Sequence, residues 1–228
     1  MKPRGISNGI RWCEVSKMGE SIKPVFSHNS DISKNAYMNW RIHGHNIAEN
    51  LIVLKTGFES AAKQMMTAIL ADNRLKQADV LIFPIMYSVD QSIELYLKAV
   101  IYNLEQLEHG VSNNYKTHDI QSLFNTMISL IKKQKQKTKG LQAHVAPLKE
   151  YIDELYSHIA DSRGNMRMDF ARYPFDVDRN PHFYVCTTEN IVVDVENLLN
   201  RYSEIMDCLD GLYCMYDIKS EKDKTQDD

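Results

Sequence analysis

The sequence has little glycine and proline, with 9 and 6 of 228 residues respectively. A β-sandwich or barrel needs many turns built from these two residues, so neither fold is expected. No apolar run approaches the roughly 18 residues that a membrane helix needs. The first residues, MKPRGISNGIRW, lack the apolar core of a signal peptide. We therefore expect a cytoplasmic protein that does not contact a membrane.

Strong net charge and cysteine pairing are absent as well. The formal charge is −3, so any contact with nucleic acid would need a local basic patch. The four cysteines, Cys13, Cys186, Cys208 and Cys214, form no Cys-x-x-Cys pair. Both a zinc site and a disulfide framework are therefore poorly supported. We expect reduced thiols, no metal and no cofactor.

Helical periodicity is what the sequence does contain. Apolar residues recur at spacings of three and four over about 46–71, 79–104, 117–139, 145–160 and 188–218. Asp79 and Thr117 are predicted to cap the second and third helices. We predict an all-α fold, an antiparallel bundle of about five helices. An irregular N-terminal arm (1–45) would precede the helical domain (46–219), and a disordered tail (220–228) would follow it.

Three motifs occur in an order that resembles one known family. They are LIFPIMYSVDQSIELYLK at 81–98, THDI at 117–120 and FARYPFD at 170–176. Together they make residues 79–205 similar to bacterial HEPN (higher eukaryote and prokaryote nucleotide-binding) proteins. Residues 1–45 have no counterpart in this comparison. The resemblance implies a HEPN-like helical bundle that forms a homodimer, and we expect its Ile82–Leu104 helix at the dimer interface.

The resemblance also implies a function in bacterial or phage conflict and defence, as in toxin–antitoxin, abortive-infection and CRISPR-linked systems. Many HEPN proteins are metal-independent ribonucleases with an Arg-x4–6-His pair. Such an arginine holds the scissile phosphate, and the histidine moves the proton of the attacking 2′-hydroxyl. This chain has no such pair, and Asp90-Gln91 stands where relatives tend to read Arg-His.

The degenerate motif leaves two functions open. The first is a module that binds RNA, a nucleotide or a partner protein encoded in the same operon. The second is a metal-independent endoribonuclease with displaced catalytic residues. Its candidates are His118 with Arg172, or Arg41 with His45, although the latter two are separated by only three residues.

Candidate binding residues are basic or aromatic. Phosphate contacts are expected from Lys132, Lys133, Lys135, Lys137, Lys139, Arg163 and Arg167, with base stacking on Tyr173. Lysines at a helix end are also common as solvated residues that favour the helix dipole.

The motif residues have structural alternatives too. Asp119 either orients His118 for acid–base work or caps the third helix. Arg172 either grips phosphate or bridges carboxylates such as Glu94. Glu94 and Lys98 are expected to form an i,i+4 ion pair, and Asp176 is expected to be a structural polar residue.

Overall fold

The structure is a computed structural model that describes residues 23–42, 44, 46–107, 116–134, 139–159 and 169–224. The chain divides into two compact units between Met38 and Asn39. The described part of the first unit contains a short 3-10 helix, Ile32–Lys34. Asp31 caps the N-terminus of this helix, and its side chain accepts a hydrogen bond from the Ser33 amide.

The second unit is helical, which confirms the expected all-α bundle. Its five helices are α1 (Ile47–Ala71), α2 (Ala78–Leu107), α3 (Ile120–Lys133), α4 (Leu141–Ile159) and α5 (Val195–Lys224). Within the described ranges there is no β-strand, only an isolated bridge between Phe175 and Pro181.

Helix α2 lies at the centre of the bundle and packs against α1, α3 and α5, while α4 packs against α5 and α3. Its residues Val89, Ile93, Leu97 and Leu104 are fully buried. They recur at spacings of four and seven, so they form one apolar stripe on the helix. Partners for this stripe come from the same chain, and a homodimer would need other surfaces of α2.

Side-chain caps fix where several helices begin. The Asn46 side chain accepts from the Glu49 amide at the start of α1. Asp119 caps α3 by accepting from the Ser122 amide at 2.6 Å. The predicted caps were wrong in two places: Thr117 bonds the Asp119 amide instead, and the Asn73 side chain, rather than Asp79, accepts from the first amide of α2.

Several helix boundaries differ from the prediction: α3 ends at Lys133 rather than 139, α5 continues to Lys224 into the expected tail, and the starts of α4 and α5 are shifted. Helix α5 begins at Val195 rather than near residue 188, because the Asp194 side chain caps it through the Asn197 amide. The three residues before that cap, Ile191–Val193, are β-branched and lie in an extended segment. Helix α4 begins at Leu141, directly after Gly140 with φ 89°.

By length and composition alone, α2 is apolar enough to cross a membrane. The sequence was expected to contain no apolar run of that length. Half of the most apolar 18-residue window of α2 is buried inside the protein. The core helix of a soluble protein passes the same test, so the observation carries little weight.

Candidate functional site

The polar centre of α2 is Glu94, a buried carboxylate that has three side-chain partners. Its Oε1 accepts from Lys98 Nζ at 2.7 Å and lies 2.9 Å from His118 Nδ1. Its Oε2 accepts from Gln91 Nε2 at 3.3 Å. The Glu94–Lys98 pair is the expected i,i+4 pair, and both side chains are nearly buried.

His118 is held at the surface by this carboxylate. Its side chain is 80% exposed, whereas that of Glu94 is 6% exposed. A carboxylate at Nδ1 fixes the orientation of an imidazole and leaves Nε2 for a ligand or a proton.

The partner of His118 is therefore not the one that the sequence suggested. Asp119 was the candidate for orienting His118, but its carboxylate caps α3. His118 directly precedes this cap, and its ring instead contacts Glu94, a residue 24 positions earlier on α2.

Arg172 lies against two tyrosine rings. Its guanidinium carbon is 5.7 Å from the ring centroid of Tyr87 on α2 and 5.5 Å from that of Tyr173. Both distances are in the cation–π range. The structure thus brings Arg172 and Tyr173 together, while Glu94 is bonded to other partners. Tyr173 is 55% exposed, which leaves part of its surface open.

The His118 and Arg172 contacts are on the same face of α2. Tyr87 and Glu94 are seven residues apart, two helical turns, and so they point in nearly the same direction. At 1.5 Å per residue, they are separated by about 10 Å along the axis. Gln91 lies between them and bonds Glu94. We call the surface formed by Tyr87, Gln91, His118, Arg172 and Tyr173 the α2 face.

Asp90 is a second buried carboxylate on α2, one helical turn before Glu94. Its Oδ1 accepts from the Tyr151 hydroxyl of α4 at 2.8 Å, and its Oδ2 is buried with no hydrogen-bond partner. Burial is the chief reason that the pKa of Asp90 is raised to about 7, and the charge of Glu94 raises it further. The hydrogen bond from Tyr151 acts in the opposite direction.

Asp176 organises the loop that follows Arg172. Its Oδ1 accepts from the amides of Asp178 and Asn180, and its Oδ2 accepts from the Asn180 side chain at 3.0 Å. These bonds fix the turn that is closed by the Phe175–Pro181 bridge. The carboxylate is thus engaged in local structure.

Only some of the predicted basic residues fall in the described part of the chain. Lys132 and Lys133 are exposed in the last turn of α3, and Lys139 is exposed just before α4. Because α3 has 14 residues, the first two lie about 20 Å from His118, which precedes it. Arg41 is exposed ahead of α1. The remaining candidates, His45, Lys135, Lys137, Arg163 and Arg167, lie outside the described residues.

Sequence reasoning did not single out Tyr87, Gln91 or Tyr151 as site residues. Tyr87 and Gln91 lie inside the motif at 81–98, where Gln91 was noted only as a departure from Arg-His, and Tyr151 was assigned to the apolar face of the fourth helix. Within the described ranges, no group of three His, Cys, Asp or Glu side chains could hold a metal ion.

Comparison with protein-family models found no matching family, and comparisons with curated sequences and with solved structures found no match either. The HEPN resemblance rests on the three motifs and stays a prediction.

Proposed function

We propose that the chain is a HEPN-like module of a bacterial or phage conflict system and that it binds RNA on the α2 face. One observation carries this proposal. An exposed imidazole anchored on a buried carboxylate and a guanidinium packed against two tyrosines share one face of α2.

Each side chain has a role that suits single-stranded RNA. The Arg172 guanidinium supplies a fixed positive charge for a phosphate, and its position is restricted by the rings of Tyr87 and Tyr173. The open surface of Tyr173 is available for stacking on a base. Stacking of this kind is tolerant of sequence, since every base has a flat π surface.

The charge balance of the chain restricts how RNA approaches. With a net charge of −3, the protein does not attract phosphate as a whole. Attraction must come from local cations, and exposed Lys132 and Lys133 extend the basic surface along α3. Affinity should therefore be modest and should fall steeply with salt.

Binding of a fluorescent single-stranded RNA, followed by anisotropy over a range of salt concentrations, tests the proposal. Arg172→Ala should lower the slope of log K against log salt by about 1, because one phosphate contact is lost. Tyr173→Ala should weaken binding by about tenfold through lost stacking. Arg74→Ala is the matched control, since Arg74 is exposed and paired with Asp72 at the far end of α1. Equal affinity for all four proteins would contradict the proposal.

A second candidate, a metal-independent ribonuclease, is favoured by the His118–Glu94 contact. Here His118 Nε2 takes the proton of a ribose 2′-hydroxyl, whose oxygen attacks the adjacent phosphorus. The P–O bond to the 5′-oxygen of the next nucleotide breaks, and that oxygen takes a proton from water, so that products with a 2′,3′-cyclic phosphate and a 5′-hydroxyl result. Arg172 would stabilise the developing phosphate charge.

The spacing along α2 favours binding over cleavage. The α2 residues that His118 and Arg172 contact, Glu94 and Tyr87, are about 10 Å apart along the helix axis, so the two side chains suit neighbouring groups of an RNA strand better than one phosphate. RNA cleavage in EDTA that is lost in His118→Ala and retained in Asp119→Ala would favour the ribonuclease.

The predicted homodimer and an operon-encoded partner protein belong to the same proposal. Because the central stripe of α2 is filled within the chain, a dimer would use exposed apolar residues such as Val80, which is 72% exposed. Light scattering at tens of micromolar would show a dimeric mass if this is correct and a monomeric mass if it is wrong.

A further inference from the structure

A groove lies next to the α2 face, between the N-terminal half of α2, helix α4, the start of α5 and the segment around 183–195. The Tyr184 hydroxyl in its wall donates to the backbone carbonyl of Tyr173. The groove has a volume of about 880 Å³. Sites for small organic ligands in proteins usually measure about 300–1,000 Å³, so the groove is of the size that takes such a ligand.

Aromatic rings form much of the groove wall. The rings of Phe83 and Tyr184 have centroids 5.1 Å apart, and those of Phe183 and Tyr184 are 5.4 Å apart at an interplanar angle of 90°. Phe170 packs on Phe183 at 5.7 Å. The Tyr184 hydroxyl donates to the backbone carbonyl of Phe170 at 2.8 Å, which fixes the ring in place. A wall of this kind suits a flat apolar ligand.

The charged residues of the groove are mostly acidic. Its lining includes three acidic residues, Asp79, Glu154 and Asp194. The basic residues in the same lining are Arg201 and His158. Arg201 forms an ion pair with Glu154, so its charge is already compensated. A phosphate-bearing ligand would meet the exposed carboxylates of Asp79 and Asp194, the second of which also caps α5, whereas a cation would be attracted.

We propose that this groove binds an organic cation with a planar aromatic body. The body lies against the wall formed by the rings of Phe83, Phe183 and Tyr184, and the cationic group faces Asp79 or Asp194 at the rim. Both requirements come from the same cavity: the rings select a flat apolar shape, and the carboxylates select its charge. This inference does not depend on the proposed RNA-binding function, because the α2 face contributes none of these residues.

Three indoles of matched shape test the charge requirement. Tryptamine carries a cation, tryptophol is neutral and indole-3-acetate is an anion at pH 7. Titration of the full-length protein by ligand-observed NMR should show the strongest binding for tryptamine, weaker binding for tryptophol and the weakest for indole-3-acetate. The same affinity for all three, or no binding of any at millimolar concentration, would overturn the proposal.

Variants then locate the site. Asp79→Asn should weaken tryptamine binding by about threefold, as expected for loss of one exposed carboxylate contact, and should leave tryptophol unchanged. Asp207→Asn, an exposed carboxylate elsewhere on α5, is the matched control and should change neither ligand. Phe83→Ala should weaken both ligands by about fivefold, since it removes a ring from the wall.

Competition identifies the alternative occupant. Adenosine 5′-monophosphate should not displace tryptamine, because its phosphate meets the acidic rim. If adenosine 5′-monophosphate displaces tryptamine from the wild type but not from Phe83→Ala, then a nucleotide binds in the groove. That result would refute an organic cation as its ligand. Circular dichroism of each variant confirms that the helices are intact.

Discussion

Replacing Asp90 with asparagine is the substitution whose effect the structure specifies most fully. Asp90 is fully buried, and its pKa is raised from 3.8 to about 7, mainly by burial. In the unfolded chain the carboxyl ionises near its ordinary pKa. Between these two values the folded state holds a proton that the unfolded state has lost, so stability falls as pH rises.

The size of this effect follows from the two pKa values. A difference of about 3 pH units at about 1.4 kcal/mol each is worth about 4 kcal/mol in total. More than half of it, about 2–3 kcal/mol, should be lost between pH 5 and pH 8. Asparagine resembles the protonated acid and keeps an oxygen that accepts from Tyr151. The Asp90→Asn variant should therefore lack this part of the pH dependence.

Urea unfolding of both proteins at pH 5, 6, 7 and 8 measures the difference. Titrating groups that are remote from Asp90 and present in both proteins largely cancel in the comparison. We expect the variant to gain about 2–3 kcal/mol relative to the wild type between pH 5 and pH 8. A difference that stays constant with pH would refute the reasoning, because it would show that Asp90 does not hold a proton in the folded protein.

The other predictions concern single residues. Leu97→Ala should cost about 2–5 kcal/mol in urea unfolding, because it leaves a cavity at the centre of the bundle. Asp119→Ala should cost about 1 kcal/mol through loss of the α3 cap, measured in the same way. Glu94→Gln should cost about 3 kcal/mol or more, since it leaves the nearly buried charge of Lys98 uncompensated, and a change under 1 kcal/mol would contradict this. Mass spectrometry of the alkylated native protein should find Cys186 and Cys214 labelled before Cys208, which is buried and whose pKa burial raises to about 11.

The sequence predicted the helices well where apolar periodicity and a cap agree. Helix α1 begins at Ile47, one residue after Asn46, and the apolar stripe of α2 is buried as its spacing indicates. The predicted start of α5 was wrong, because the hydrophobicity of Ile191 and its two neighbours is by itself consistent with a helix. Their β-branched side chains and the cap at Asp194 favour an extended segment instead.

The candidate site could be predicted only in part. His118, Arg172 and Glu94 were recognised as residues of interest, and the Glu94–Lys98 pair was predicted, but the partners of His118 and Arg172 on α2 were not. His118 pairs with a carboxylate 24 residues away, and Arg172 packs on Tyr87 from another element. Such contacts depend on how helices pack, which local periodicity does not encode. The groove was missed for the same reason, since four separate segments form it.

The most direct test of the account is incubation of the purified protein with total RNA and tRNA in EDTA. A His118→Ala, Arg172→Ala double variant runs beside it, with anisotropy on the same samples. The account predicts RNA binding by the wild type, a loss of about tenfold or more in the variant, and no cleavage by either. Cleavage by the wild type alone would establish the ribonuclease instead. Equal RNA affinity of a folded wild type and a folded variant would contradict the α2 face as the RNA-binding site.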